Sequence, residues 1–545
     1  MPGRGFPPLS LPDMLEASAR RRGDAPLIDF YGRKFSYTMV ADGARRFARG
    51  LKARGIGRGD RVGLLLPNVP HYAAAYFGIL RLGAVAVNLS PLYSVEELKV
   101  QVDDSGLKAI VTLDVAALLP SALAVMEQTS IEHLIVGSIA GALPAAKSVL
   151  YRLLKQGEIA HRPDDPRICR FSRLLDNDGD CPAVAIDPEH DLALIQYTGG
   201  TTGLPKGAML SHQNLTANAR QVALADPRST EDDRVLGVLP LFHVFAMTCV
   251  LNRTVYLGGE IVMLPRFDAG QMLAAVTRTR PSILFGVPTM YQALLDHPRL
   301  AETDFSSFRA CVSGGAPMAP ELKARFETAT GTPINEGYGL TESSGVVSVN
   351  PFPPGANKAG TVGLPLKGTL IVLMDRDDPS KQAAPGQPGE ITFGGPQVMQ
   401  GYWNRPEETA AVFVDGRVRT GDVGVVDAGG YLTIIDRIKD MISVGGFKVF
   451  PSQVEAVLYR HPAVKEALVI AVPDPYSGER PKAFVTLRRG MSAVPEQLLA
   501  WAEPHLGKHE RLAGLEIRES LPRTMVGKLS RKDLIAQEHA RLVPK

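Results

Sequence analysis

The stretch "QYTGGTTGLPKGAML", Gln196 to Leu210, gathers groups able to hold an anion. Gly199, Gly200, Gly203 and Gly207 let backbone N–H groups crowd around a negative charge, because no Cβ blocks the approach. Thr198, Thr201 and Thr202 add hydroxyl donors, and Lys206 adds a point charge. The loop follows a strand-like run and leads toward a helical pattern, as phosphate loops often do. It is not a Walker A loop, which requires G-x-x-x-x-G-K-[ST], because Lys206 is followed by Gly207. Taken alone, a flexible Gly/Thr turn accounts for it equally well.

Further segments carry chemistry of the same kind. "INEGYGLTES" (334–343) brings Tyr338, Thr341 and Glu342 together, and a carboxylate is a hard oxygen ligand suited to a metal that bridges phosphate oxygens. "CVSGGAPMAP" (311–320) holds Gly314, Gly315 and Ala316, where a flat base can lie close to backbone at a strand end. "RTGDVGVVDAGGYLTIIDRIKD" (419–440) supplies Asp422, which can accept from both hydroxyls of a 2′,3′-diol, together with Arg437 and Lys439. Lys528 stands in "LPRTMVGKLSRKDL" (521–534), His243 in "LPLFHVFAM" (239–247), and Gly445 and Gly446 in "SVGGFKVFP" (443–451). Singly, these are ordinary surface charges, turn glycines and a core histidine.

As an ordered set, from about residue 25 to 535, they resemble the signatures of the adenylate-forming (AMP-binding) superfamily. That superfamily includes acyl-CoA synthetases, aryl-CoA ligases, luciferases and the adenylation domains of peptide synthetases. Its common loop is T-S-G-T-T-G-x-P-K-G. The glycine at the second position here, Gly199, is most similar to bacterial long-chain fatty acyl-CoA synthetases. The resemblance implies ATP and Mg2+ as cofactors and coenzyme A as co-substrate. It implies that Tyr338 lies against adenine, that Gly314, Gly315 and Ala316 line the adenine pocket, and that Asp422 and Arg437 hold the ribose. Thr341 would hold the α-phosphate and the reacting carboxylate, Glu342 the magnesium, and Lys528 the shifting charge during adenylation. His243 would stand where the acyl and pantetheine channels meet. Gly445 and Gly446 would approach pantetheine, and Lys439 would be the hinge. Many relatives carry lysine where Ser443 stands, which weakens a luciferase-like reading and leaves CoA ligation open.

Elements must hold these residues in place. Apolar runs at 61–66, 107–113, 191–197, 234–240 and 282–288 read as strands, alternating with helical patterns such as 70–83 and 211–225. This is the rhythm of parallel α/β sheets. Beyond about residue 360, "GTLIVLMD" and "GEITFGG" between Pro/Gly turns suggest a small β-rich unit. The expected fold is α/β. Residues 1–435 form a large N-terminal AMP-binding domain of two parallel-type α/β subdomains plus a small β-barrel-like unit. A hinge follows at 436–440, then a small mobile α+β C-terminal domain at 441–545. Residues 137–167 lack strand rhythm and read as a surface excursion.

Sixty basic against 57 acidic residues give a net charge of +3, so no basic field marks a nucleic-acid binder. The four cysteines lie far apart with no C-x-x-C, which fits a reducing cytoplasm. The longest apolar window is broken by Arg81 and Gly83 and reads as a buried helix and strand. "KSVLYRLLKQ" (147–156) is basic with an apolar stripe through Val149, Leu150, Leu153 and Leu154. Either peripheral contact with the inner face of a membrane or packing on the N-terminal domain explains it. The acid is expected to be a medium- or long-chain fatty acid. Aryl and dicarboxylic acids stay open, as does a fatty acyl-AMP ligase that loads a carrier protein. A non-catalytic relative is disfavoured because Glu342 and Lys528 are both present. Nothing in the sequence indicates an oligomeric state.

Overall fold

The computed structural model describes residues 5–182, 184–198, 205–353, 355–375, 378, 380–445, 447–523 and 529–542. Two parallel-type sheets form the bulk of the molecule. The first has eight strands in the spatial order Gly401–Tyr402, Lys206–Ser211, Leu192–Thr198, Val85–Asn88, Arg61–Leu64, Leu107–Leu113, His133–Gly137 and Ile168–Arg170. Its central pairings are parallel. Strands such as Leu107–Leu113 are buried along almost their whole length, which is why they read as apolar runs and not as alternations. The helix Pro70–Arg81 is buried nearly all round, as the window broken by Arg81 and Gly83 suggested.

The second sheet has nine strands. Its parallel centre runs through Ile334–Tyr338, Ala310–Ser313, Ile283–Gly286, Arg234–Gly237, Glu260–Met263 and Pro26–Phe30. The chain thus enters the second sheet at Pro26–Phe30 before building the first. Side chains from both sheets share one core, with Leu27, Phe30, Leu64, Tyr72, Leu194, Val262 and Leu284 among its members.

A five-stranded antiparallel sheet follows, built from Leu370–Met374, Gly389–Gly394, Phe413–Val414, Arg417–Val426 and Leu432–Arg437. After the turn Ile438–Asp440 the chain enters a separate sheet: Ile442–Val444, Phe447–Val449, Val464–Asp474, Gly478–Leu487 and Gly514–Ile517. That unit has its own core of Ile442, Val454, Leu458, Val469, Val485 and Leu498. Among the described residues no helix is long and apolar enough to cross a membrane.

One approach of backbone to backbone matters for the site. The strand Ile334–Tyr338 ends in a tight excursion that carries Thr341 and Glu342 and returns at Ser348–Val349. A Cβ on Gly339 would lie 2.0 Å from the carbonyl oxygen of Gly345, so only glycine fits there. Gly339→Ala is expected to cost about 1–3 kcal/mol through overpacking. Thermal unfolding should show this as a lowered midpoint.

Candidate active site

The Gly/Thr loop joins two antiparallel strands, Leu192–Thr198 and Lys206–Ser211, with Thr198 opposite Lys206. The expected passage from loop to helix is therefore corrected. A strand intervenes, and the helix His212–Ala225 starts behind it. Ser211 caps that helix by accepting from the backbone N–H of Asn214 at 3.1 Å. Apolar Ala208 and Leu210 pair with the buried strand 192–198, which favours strand over helix in this segment. Gly199, Gly200, Thr201, Thr202 and Gly203 lie outside the described residues, as do Gly446 and Lys528.

A large cavity of about 2820 Å³ takes in most of the remaining candidates: Thr198, Lys206, His243, Gly314, Gly315, Ala316, Tyr338, Thr341, Glu342, Asp422, Arg437 and Lys439. It opens at the carboxyl ends of the parallel strands Ala310–Ser313 and Ile334–Tyr338, where open α/β sheets bind their ligands. Gly314 directly follows the first of these strands. A Cβ there would meet the Phe245 ring at 3.1 Å, so the glycine keeps this wall thin. Gly445 is not among the residues lining this cavity; it has a φ of +56° at the turn between Ile442–Val444 and Phe447–Val449.

Asp422 and Arg437 face each other across adjacent strands, with the guanidinium Nε 3.0 Å from the carboxylate. The Tyr338 hydroxyl donates to the other carboxylate oxygen at 2.6 Å, and Asp422 is only 3% exposed. Burial pushes the Asp422 carboxyl above its ordinary range, while Arg437 and the Tyr338 hydroxyl pull it back. The Tyr338 phenol is pushed far up by burial and then by the Asp422 charge, so it remains a donor. At the cavity edge, Lys439 has its ammonium pKa lowered by burial and by neighbouring Arg437. His243 caps the short turn Val244–Ala246: its Nδ1 accepts from the Phe245 N–H at 3.4 Å. That bond leaves the proton on Nε2 and fits a wall residue better than a general base.

Tyr402 was not singled out from the sequence. Its hydroxyl donates to Glu342 Oε1 at 2.7 Å, and the Lys206 ammonium lies 5.2 Å from its ring centroid. One side chain thus orients the candidate metal ligand and cradles the candidate phosphate cation. The backbone reinforces the link, with Met399 N–H donating to the Glu342 carbonyl at 2.9 Å. In the sequence it stands in "GYWNRPEET" (401–409), where nothing sets it apart from other aromatic residues. Among the described residues no three His, Cys, Asp or Glu side chains gather as a metal cluster. A divalent ion here would share Glu342 with phosphate oxygens, the usual arrangement for Mg2+.

A strand-end cavity that gathers a buried, hydrogen-bonded carboxylate, a glutamate and a lysine is the arrangement of an α/β ligand-binding protein. Sequence comparison makes the class specific. The AMP-binding enzyme family model matches residues 15–403, and the AMP-binding enzyme C-terminal domain model matches 453–528. The chain belongs to the AMP-binding enzyme family. It is 40% identical to a long-chain-fatty-acid–CoA ligase of Bacillus subtilis over 98% of this chain and 95% of that one. It is 37% identical to a feruloyl-CoA synthase of an Amycolatopsis species, over 94% of this chain and 95% of that one. In structure it is similar to an anthranilate CoA ligase solved with anthranoyl-AMP, at a TM-score of 0.88, 26% identity and 99% coverage of both chains.

Two substitutions test this geometry. Tyr402→Phe keeps the ring beneath Lys206 but removes the bond to Glu342. The Mg2+ concentration needed for half-maximal activity is expected to rise about tenfold, for a lost hydrogen bond to a charged group, with little change in thermal stability. Arg437→Met removes the cation that holds the Asp422 carboxyl down, so burial raises its pKa further. Protonation then removes the Asp422 negative charge at higher pH. The acid limb of the pH profile of 1/KM for ATP should therefore move upward, which steady-state kinetics over the range from mildly acidic to neutral pH would show.

Proposed function

We propose that the protein is an acyl-CoA synthetase that activates a medium- or long-chain fatty acid. The acid's carboxylate attacks the α-phosphate of ATP, releasing pyrophosphate and forming an acyl-adenylate. The thiol of coenzyme A, losing its proton, then displaces AMP to give the thioester. The observation that carries this reading is the meeting of Lys206, Glu342, Tyr338, Asp422 and Arg437 on one cavity. No general base is needed in the first step, because the nucleophile is already an anion. Asp422 accepts from the ribose hydroxyls, the Tyr338 ring lies against adenine, and Gly314 to Ala316 form the wall beside it. Lys206 and the Gly/Thr loop neutralise phosphate charge. Mg2+, held through Glu342, would supply charge screening on the phosphates.

Lys528 is assigned to the α-phosphate during adenylation. Arg523 and Leu529, on either side of its segment, line the same cavity, which supports that assignment. The thioester step needs the lysine withdrawn, and we assign rotation of the unit beyond Lys439 to that change. An ion pair between the units, Lys465–Asp296 at 3.9 Å, joins partly exposed side chains, and such a pair contributes at most about 1 kcal/mol. The small unit holds the hinge segment more firmly. The Ser452 backbone N–H donates to the Asp436 carboxylate at 2.8 Å, and Arg531 contacts Asp440 at 3.4 Å.

The cavity wall formed by Val222, Ala225, Val238, Ala246, Cys249 and Phe285 is apolar and suits an aliphatic chain. The identity with a feruloyl-CoA synthase keeps an aryl acid as the second reading. ATP and coenzyme A make the cytoplasm the natural location, and the four buried free cysteines fit it. AMP release from a panel of carboxylic acids, with and without coenzyme A, tests the assignment. Medium- or long-chain acids should give CoA-dependent AMP. Turnover confined to aryl acids would replace the fatty-acid reading, and release unaffected by coenzyme A would remove the thioester step. Lys439→Pro should slow thioester formation from preformed acyl-adenylate more than acid-dependent pyrophosphate exchange; equal losses would contradict the hinge.

A further inference from the structure

The excursion at 137–167 contains a helix, Ala145–Leu154, with no buried residue. Val149, Leu150, Leu153 and Leu154 are 59%, 54%, 64% and 71% exposed. At about 3.6 residues per turn these four share one face. Arg152 flanks that face on one side and Lys147 on the other. The helix itself carries two basic residues, Lys147 and Arg152, and no acidic one, while Lys155 just beyond it pairs with Glu158. Four large apolar side chains exposed in one stripe are unusual for a surface helix that packs on its own domain.

The helix also borders the cavity. Tyr151, beside the stripe, lines it together with Tyr31, Val115, Ile139 and Phe267. One contact ties the helix to this edge, Lys147 Nζ donating to the Tyr31 carbonyl at 2.9 Å, and the chain that follows it is held by a backbone bridge between Val115 and Ile159. The space that holds the nucleotide candidates therefore extends to the foot of an exposed, basic, apolar helix.

We propose that helix Ala145–Leu154 seats the protein on an anionic phospholipid surface and that the cavity beside Tyr151 admits the fatty acid there. The leucines enter the headgroup–acyl boundary, Arg152 meets lipid phosphates, and the acid passes toward the nucleotide without crossing bulk water. The fatty-acid part of this inference rests on the reading given under Proposed function; the lipid docking does not. A second copy of the chain seated on the stripe is the competing occupant, but Arg152 on its flank and the cavity that reaches Tyr151 favour an anionic lipid surface.

Sedimentation with vesicles of phosphatidylcholine alone, and of phosphatidylcholine with phosphatidylglycerol, tests the docking with wild type, Leu150→Asp/Leu153→Asp and Arg152→Glu. Wild type should bind the anionic vesicles at least about tenfold more tightly than the double variant, with Arg152→Glu in between. All substituted positions are exposed, so melting temperatures should agree. In a second arm, the double variant should lose turnover of a long-chain acid embedded in vesicles while keeping turnover of dissolved octanoate. Equal vesicle binding by wild type and double variant would overturn the proposal. So would a wild-type dimer in light scattering that the double variant abolishes. Absence of turnover with every acid would remove the fatty-acid reading while leaving the binding result to stand.

Discussion

The site depends on one buried carboxylate. Asp422 belongs to the small antiparallel sheet, Tyr338 to the large second sheet, and Arg437 to the strand that leads into the C-terminal unit. All three meet at the carboxylate, with contacts of 2.6 and 3.0 Å. A carboxylate taken out of water is costly unless it is paired and hydrogen-bonded. Its need for partners therefore ties two sheets and the hinge approach into one geometry. Each carboxylate oxygen still has accepting capacity beyond these contacts, which is what a ribose diol requires.

A second focus lies across the cavity. Glu342 sits on an excursion that only glycine at 339 permits, and Tyr402 fixes its carboxylate while lying beneath Lys206. Tyr402 comes from the edge strand Gly401–Tyr402, which pairs with the strand after the Gly/Thr loop. Glu342 and the strand that carries Lys206 are thus registered to each other through backbone pairing and a phenol. In the proposed reading the two foci divide the work: ribose and base on the Asp422 side, phosphates on the Lys206 side.

Much of this was legible in the sequence because local physics and tertiary context agree. The run 107–113 is a strand over that whole length, and the helix expected over 211–225 spans His212–Ala225 behind a Ser/Asn capping box. The motif residues read as candidates because their types suit phosphate, metal and diol. Three features were not legible. The segment after the loop is a strand and not yet a helix, which depends on pairing with residues 192–198 and 401–402 rather than on its own pattern. Pro26–Phe30 joins the second sheet, through partners more than two hundred residues away. Tyr402 is one aromatic among many until its hydroxyl is placed against Glu342. Each failure concerns a long-range partner, which single-sequence periodicity does not encode.

The central claim is that remote segments converge on one nucleotide and turn a carboxylate into a mixed anhydride with phosphate. The most direct measurement is exchange of labelled pyrophosphate into ATP without coenzyme A, in wild type and Asp422→Asn. Wild type should exchange label only when a substrate acid is present, and the variant should need a far higher ATP concentration for the same rate. Exchange that ignores the acid, or unaltered ATP dependence in the Asp422→Asn variant, would contradict the account.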